Sequence, residues 1–223
     1  MVTLDFTPAL AGWRDLLSGA LVTIEVTLCA MLLSCLLGAL IGLARVNGQN
    51  ASLRTAGNTY VILVRGTPLL VQLFILYFGL PYFGIVIPAF VCGFIGMGCY
   101  SAAYVSELVR GAIESIDRGQ MEAGRSMGMS SGQAMRWIIL PQALVRMLPP
   151  LANEFIALTK NSALVSLVTI HDVMHEGQKI ISVSYRSLEV YIVIACIYLI
   201  LTTTTMLALR KLEKKLRAGG MVQ

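Results

Sequence analysis

Five apolar runs, each about as long as a helix needs to cross a bilayer, dominate the chain: roughly Leu16–Ala44, Thr59–Leu80, Pro88–Ile113, Leu148–Val168 and Leu188–Leu209. None alternates as a strand would, so the expected class is all-α, integral membrane, with five transmembrane helices. The fourth run is the weakest, because Asn153, Glu154, Lys160 and Asn161 interrupt it. Only 13% of the residues are charged, against about 25% in a soluble domain. That is too little polar surface to cover a globule in water, and lipid is the expected solvent for much of the chain. The length fits one membrane domain over residues 1–223. Cys29, Cys35, Cys92, Cys99 and Cys196 lie in apolar stretches without a CxxC pair and read as reduced packing residues.

The positions of the cations set the orientation. With the N-terminus outside, the inner segments hold Arg45, Arg54, Arg110, Arg118, Arg125, Arg136, Arg146, Arg210, Lys211, Lys214, Lys215 and Arg217. The outer segments hold only Arg14, Lys179 and Arg186, while Arg65 and Lys160 fall inside spans. This asymmetry gives N-out, C-in, and it accounts for the pI of about 9.1 without nucleic acid. The N-terminus has neither a basic leader nor a clear small-residue cleavage site, so the first span is expected to stay in place. No GxxxxGK[ST] phosphate loop is present, so the chain is not itself an ATP-driven motor.

The longest polar segment, about 114–147, is therefore cytoplasmic. Within it Glu122-Ala123-Gly124-Arg125-Ser126-Met127-Gly128 precedes Ile138-Ile139-Leu140-Pro141. Gly128 suits a helix C-terminus that needs positive φ. Ser130 with Gln133 forms a potential capping box for a second helix, which Pro141 is expected to bend or end. The outcome is a helical elbow below the membrane.

This stretch is similar to the signature loop of ABC importer permeases, E-A-A, three residues, G, nine residues, I-x-L-P. Glu122, Ala123, Gly128, Ile138, Leu140 and Pro141 match, and Gly124 departs from the second alanine, which bears on local helix stiffness. Arg65-Gly66-Thr67-Pro68-Leu69-Leu70-Val71-Gln72 resembles the RGTP motif of the polar amino-acid uptake branch, as do Gly19–Thr23 and Asn161–Ser166. The resemblance covers about Ser18 to the C-terminal tail. It implies the type I ABC importer permease fold, in a bacterial plasma (inner) membrane. It also implies pairing with a second copy or a homologous permease, two separate ATPase subunits, and a periplasmic or lipid-anchored solute-binding protein. Glu122, Ala123, Gly128, Met129 and Ser130 would then dock on an ATPase. No cofactor is expected in this chain, because ATP and Mg would be bound by that partner, and the chain itself would be no enzyme.

A charge inside lipid needs a partner or a purpose. Arg65 lies within the second run, and Pro68 removes the amide that would pair with the Val64 carbonyl. An interrupted helix is expected there, with free backbone groups facing protein or a wet cavity. An amino-acid substrate carries a carboxylate and an ammonium. Arg65, the Gly66–Thr67 backbone and the Thr67 hydroxyl offer donors to the first, and Glu154 an acceptor to the second. Asn161 lies seven residues from Glu154 on one helix face, with Asn153 and Lys160 repeating the offset beside them. This stripe is expected to face the interior. Gln72 and Ser101 are further substrate candidates. The structural alternative is an ion-pair network, Arg65 with Glu154 or Lys160 with Glu25, that fixes packing and touches no substrate.

In the third run, Gly93, Gly96, Gly98, Ser101, Ala102 and Ala103 suit close packing on a neighbouring helix, of this chain or across a dimer. Tyr100 and Tyr104 share a face and suit either the pathway or an interface. His171 and His175 share a helix face next to Glu176, but the order is not HExxH, and a solvated helix touching the binding protein is the preferred reading over a metal site. No Ser/His/Asp or Cys/His catalytic grouping is apparent. The expected function is therefore the permease subunit of an ATP-driven amino-acid importer, with a basic amino acid favoured by Glu154 and Glu25. The alternative is a membrane scaffold or channel.

Overall fold

The structure, a computed structural model, describes residues 4–46 and 50–218; the ends of the expected 1–223 domain and residues 47–49 lie outside it. Every regular element among the described residues is helical. A short α1 (Thr7–Ala11) leads into α2 (Trp13–Val46), then α3 (Ala51–Arg65), α4 (Leu69–Phe74), α5 (Ala89–Glu114), α6 (Arg118–Ser126) and α7 (Ser131–Ala134), followed by α8 (Leu140–Asn161), α9 (Val173–Ser184) and α10 (Ser187–Ala218). A π-helical turn (Ile75–Gly79) and a 3₁₀ turn (Leu80–Phe83) extend α4, and a 3₁₀ stretch (Ser162–Val168) extends α8.

Helix α2 is the axis. Its inward face is mostly small or polar, with Gly19, Ala20, Thr23, Thr27, Ala30, Ser34, Gly38 and Gly42 buried beside Leu16, Val26 and Met31. Its outward face is leucine: Leu17, Leu21, Leu28, Leu32, Leu36 and Leu40 are exposed. A helix in water would reverse that arrangement; in lipid the large apolar side chains face the solvent and the small ones let helices touch. Three apolar clusters follow the axis. Leu16 and Ala20 join Ala9, Val173, Val190 and Ile194 at its N-terminal end. Val26, Ala30 and Met31 meet Leu73, Met97, Leu158 and Val165 in the middle. Leu43 and Val46 back the cluster of Val105, Val109, Ile113, Ile116, Ile139 and Ala143 at the far end.

Among the described residues, three helices are long and apolar enough to cross a membrane, Trp13–Val46, Ala89–Glu114 and Ser187–Lys211; a fourth span arises if Ala51–Arg65 and Leu69–Phe83, bent by 101° at their break, act together. The expected run Leu148–Val168 is not among them. It divides between α8 and the 3₁₀ stretch, and α8 begins earlier, at Leu140. No helix end falls at 147, because the second helix of the elbow and the fourth run are continuously helical, with Pro149 and Pro150 inside α8. The second run likewise begins earlier than Thr59, at Ala51, where Asn50 caps α3 by accepting the Leu53 N–H. Pro141 ends nothing. A π-helical turn over Met135–Ile139 joins α7 to α8 and places Pro141 in the first turn of α8, where its missing N–H is tolerated.

The small residues of α5 pack within this chain. A Cβ on Gly93 would meet Ile170, on Gly96 Leu73, and on Gly98 Leu33 and the Ala30 carbonyl. A close seam joins α2 to α5: an added Cβ would lie 2.6 Å from Val105 Cβ at Gly38 and 2.7 Å from Val109 Cβ at Gly42. Gly38→Val is therefore expected to lower stability by about 1–3 kcal/mol, read as the thermal midpoint in detergent. Gly111→Ala, where an added Cβ meets nothing within 4 Å, serves as control and should melt at or above the parent temperature. Equal midpoints for Gly38→Val and the parent would contradict the seam.

Candidate functional site

The break after α3 forms as the sequence requires. Pro68 has no N–H for the Val64 carbonyl, and the chain turns there with ψ 139°. The orphaned carbonyl is taken up by the Gln72 side-chain amide, whose Nε2 donates to Val64 O (2.9 Å), Thr67 O (3.2 Å) and Thr67 Oγ1 (2.8 Å). Carbonyls only accept, so the amide nitrogen must face them. The Thr67 hydroxyl donates to Leu63 O, and the Gly66 N–H to Ile62 O. Gly66, Thr67 and Gln72 thus close the helix end themselves.

Arg65 pairs with neither Glu154 nor a backbone group. Its guanidinium lies over the Tyr104 ring, 5.1 Å from the centroid, and Nη1 is 3.7 Å from Glu107 Oε1. Glu107 is the residue that sequence reasoning missed. It receives Arg45 (2.8 Å, side chain 7% exposed) and Arg110 (2.8 Å). Arg45 also donates to Asn58 Oδ1 and Ser106 Oγ, stitching α2, α3 and α5. Arg45, Asn58, Val61, Ile62, Arg65 and Glu107 line a pocket of about 270 Å³. Position 107 sits within an apolar run next to Ser106 and Leu108, and its charge was a signal of the same kind as Glu154.

Glu154 accepts a hydrogen bond from Ser101 Oγ (2.7 Å), and Ser101 Oγ accepts one from Ser34 (3.0 Å), so a buried polar chain crosses α2, α5 and α8. Tyr100 stands between the two charges, within electrostatic reach of both Glu154 and Arg65, and its hydroxyl meets that of Tyr104 at 3.0 Å. Arg65, Tyr104, Tyr100, Ser101 and Glu154 therefore form a row of polar side chains with a cation at one end and a carboxylate at the other. Glu154 has no ion pair among the described residues. Asn161 is half-buried at the end of α8, and no side-chain hydrogen bond holds it among the described residues. The interior stripe holds only in part, because Asn153 and Lys160 are exposed. Glu25 is exposed too and makes no ion pair with Lys160 among the described residues.

The elbow is built by capping. Asp117 accepts the Gly119 N–H at the start of α6. Gly128 (φ 88°) ends it, with Gly128 N–H donating to Arg125 O and Met129 N–H to Gly124 O, the paired bonds of a Schellman motif. Ser130 and Gln133 complete the capping box of α7. Gly124 is the buried residue of α6; a Cβ there would lie 2.8 Å from Ile138 Cδ1. Its departure from alanine is thus a matter of contact with the next helix and not of stiffness alone. Glu122, Ala123, Gly128 and Ser130 are exposed, whereas Met129 is half-buried against Gly124. The outward apolar side chain is Met127, 85% exposed.

The other resembling segments also find physical roles. The chain entering α9 lies against α2 at Gly19, where a Cβ would be 2.8 Å from Asp172 O, and the Val173 N–H donates to Thr23. Asp172 caps α9 by accepting the His175 N–H and receives the Tyr198 hydroxyl; burial pushes its carboxyl up to about 6 against those bonds.

Residues 34–218 match the family described as the binding-protein-dependent transport system inner membrane component. The chain is 37% identical over 194 residues to the probable glutamine ABC transporter permease protein GlnM of Bacillus subtilis (strain 168), covering 87% of this chain and 89% of that protein. It is 34% identical over 204 residues to the glutamine transport system permease protein GlnP of Escherichia coli (strain K12), covering 91% and 93%. Among solved structures, it resembles the crystal structure of an amino acid ABC transporter with histidines, at TM-score 0.89 and 39% identity, over 96% of this chain and 100% of that one. The inward-facing MetNI methionine ABC transporter shares the fold at TM-score 0.77 and 21% identity, over 92% and 97%.

The Gln72 amide holds the break, so Gln72→Leu should strand the Val64 carbonyl and cost about 1–3 kcal/mol, read as a lowered thermal midpoint in detergent. A variant that melts with the parent but binds substrate more weakly would instead assign Gln72 to the ligand.

Proposed function

The chain belongs to the family of binding-protein-dependent transport system inner membrane components, and from that premise we propose that it is the permease subunit of an ATP-driven importer for a polar amino acid. The observation that carries the substrate class is the bipolar lining: Arg65 over Tyr104 at one end and Glu154 on Ser101 at the other. An α-amino acid presents opposite charges to such a pair. Glu107 already compensates Arg65, whereas Glu154 has no cationic partner among the described residues. A surplus carboxylate favours a basic side chain. The second reading, a neutral amide such as glutamine, is favoured by the names of GlnM and GlnP.

The exposed polar residues of α8 and α2 support a pathway. Asn153, Lys160 and Glu25 would be costly against lipid. A wet passage, or a second permease, satisfies them. Five crossings are proposed, with α3–α4 as a broken span and α8 running from the cytoplasmic elbow toward the outside; the bias of arginine and lysine puts the N-terminus out and the C-terminus in. In this arrangement a solute-binding protein delivers substrate outside and two ATPase subunits, which bind and hydrolyse ATP, grip the elbow inside. Closure of the ATPases displaces α6, which is seated on Ile138 through Gly124 and rooted in the Val105, Val109, Ile113 and Ile139 cluster. That cluster joins α5 to the start of α8, the two helices that carry Ser101 and Glu154. A push on the elbow thus reaches both walls of the site, as alternating access requires.

Two outcomes test this in proteoliposomes containing the permease, its ATPase and its binding protein. Glu122→Lys is expected to cut uptake at least about tenfold, as loss of a docking residue does, while the permease keeps its melting temperature; undiminished uptake would remove the coupling role. Glu154→Gln is expected to raise the KM for a basic amino acid about tenfold or more, a charge-assisted hydrogen bond being worth about 1.5–3 kcal/mol, and to change the KM for glutamine less. If only a binding protein loaded with a neutral ligand stimulates hydrolysis, the basic preference fails.

A further inference from the structure

The chain contains two histidines, His171 and His175, and the fold stacks them. Their ring centroids are 4.4 Å apart with planes inclined at 44°. His171 sits just before the cap of α9, His175 lies in its first turn, and Glu176 follows. One donor atom from each of His171, His175 and Glu176 falls within 4.8 Å of the others. His171 Nδ1 is 2.9 Å from Glu176 Oε1, and Glu176 is 4% exposed. We propose that these three residues form a binding site for a borderline divalent cation of the Zn²⁺ type, at the junction of α9 with the segment that follows α8.

The donor set selects the metal. Two imidazoles and one carboxylate suit Zn²⁺ with a fourth position left for water. Ca²⁺ and Mg²⁺ need about six or more oxygens, which the cluster does not offer. Tetrahedral Zn²⁺ with bonds of about 2.0–2.1 Å spaces its donors about 3.4 Å apart. The ligands therefore have a short distance to close, and His171, with its side chain 63% exposed, is free to turn.

The backbone beneath is fixed, which gives the site its preorganisation. Asp172 holds the His175 N–H, Thr23 receives the Val173 N–H, and Gly19 allows the turn to lie against α2. His175 Nδ1 lies 3.5 Å from the Ser166 carbonyl, which leaves Nε2 to face the cation. The second oxygen of Glu176 takes Lys179 at 2.6 Å. Lys179 is the opposing charge; its side chain is 55% exposed and can turn away. Metal at this place ties the Ile170–Asp172 turn to the first turn of α9.

The test is Zn²⁺ titration by calorimetry of the intact complex after removal of any affinity tag, with Co²⁺ titration followed by its visible ligand-field bands. The expected result is a site on the parent permease with the bands of a four-coordinate centre, unaffected by excess Mg²⁺. His171→Ala and Glu176→Gln should each weaken binding by more than about tenfold, and the difference from the parent removes any contribution from partner subunits. Lys179→Ala should tighten it, an effect that a merely structural ion-pair cluster does not produce. Affinity should fall as pH is lowered from about 7.5 to about 5.5, because protons compete for imidazole. Equal Zn²⁺ affinity in the parent and His171→Ala complexes, or no four-coordinate Co²⁺ spectrum with the parent, overturns the site.

Discussion

The contact between α2 and α5 sets where everything else can stand. Gly38 and Gly42 lie directly on Val105 and Val109, with the Ala102 and Ser106 carbonyls about 3 Å from any added Cβ. In lipid there is no hydrophobic force to draw helices together, so close packing of small residues and buried hydrogen bonds must do so. The seam supplies both. Between the glycines and the bundle centre, Ser34 meets Ser101, and just past Gly42 Arg45 reaches Ser106 and Glu107. Helix α5 is thereby locked, and it carries Tyr100, Ser101, Tyr104 and Glu107. A side chain in place of either glycine would displace the polar residues together with the helix.

The same scarcity of water explains how the few polar groups are used. No buried side-chain nitrogen or oxygen lacks a partner among the described residues. Many of the partners are backbone. Thr27, Ser106, Thr159, Ser162 and Ser166 each donate to a carbonyl three or four residues back. Gln72 does it across the break. The two acids behave differently because of their neighbours. Glu107 lies where three arginines converge, and Glu154 lies deeper, where only serine and tyrosine hydroxyls are at hand. That difference leaves one carboxylate uncompensated in the site.

What was legible in the sequence is local chemistry. The break at Pro68, the positive φ of Gly128 and the Ser130–Gln133 capping box each depend on a few adjacent residues whose backbone demands are fixed by their own atoms. The helical class and the principal spans follow from runs of apolar residues. The elbow and the RGTP segment also carried the family. What was not legible depends on tertiary placement. The sequence offers Arg65 more than one acid in the apolar runs, and the packing of α3 on α5 gives it Glu107 and not Glu154. The fourth run's expected start at Leu148 is no helix end, because a π-helical turn absorbs the irregularity before Pro141 and lets one helix run from the elbow into the bundle. Gly124 read as a blemish in a motif, but the structure makes it the point where two helices touch. Met127 carried no signal apart from its neighbours; the turn at Gly128 alone decides that it points outward while Met129 folds back.

The continuity of α8 bears directly on mechanism. Were the elbow a loop joined to its span by a hinge at Pro141, a push from below would be absorbed by rotation at the hinge. Instead α7, the π-helical turn and α8 are continuously helical, with Ile138 near one end, Glu154 farther along and Asn161 at the other end, and with Pro149 and Pro150 inside the helix between Ile138 and Glu154. The π-helical turn just before Pro141 absorbs the irregularity of its missing N–H, so the helix continues through it. Compliance is placed elsewhere, at the bend between α3 and α4, where helix hydrogen bonds are interrupted and a single amide side chain bridges the gap. In the proposed mechanism, displacement of the helix that carries Glu154 against the break that follows Arg65 changes the distance between the two charges.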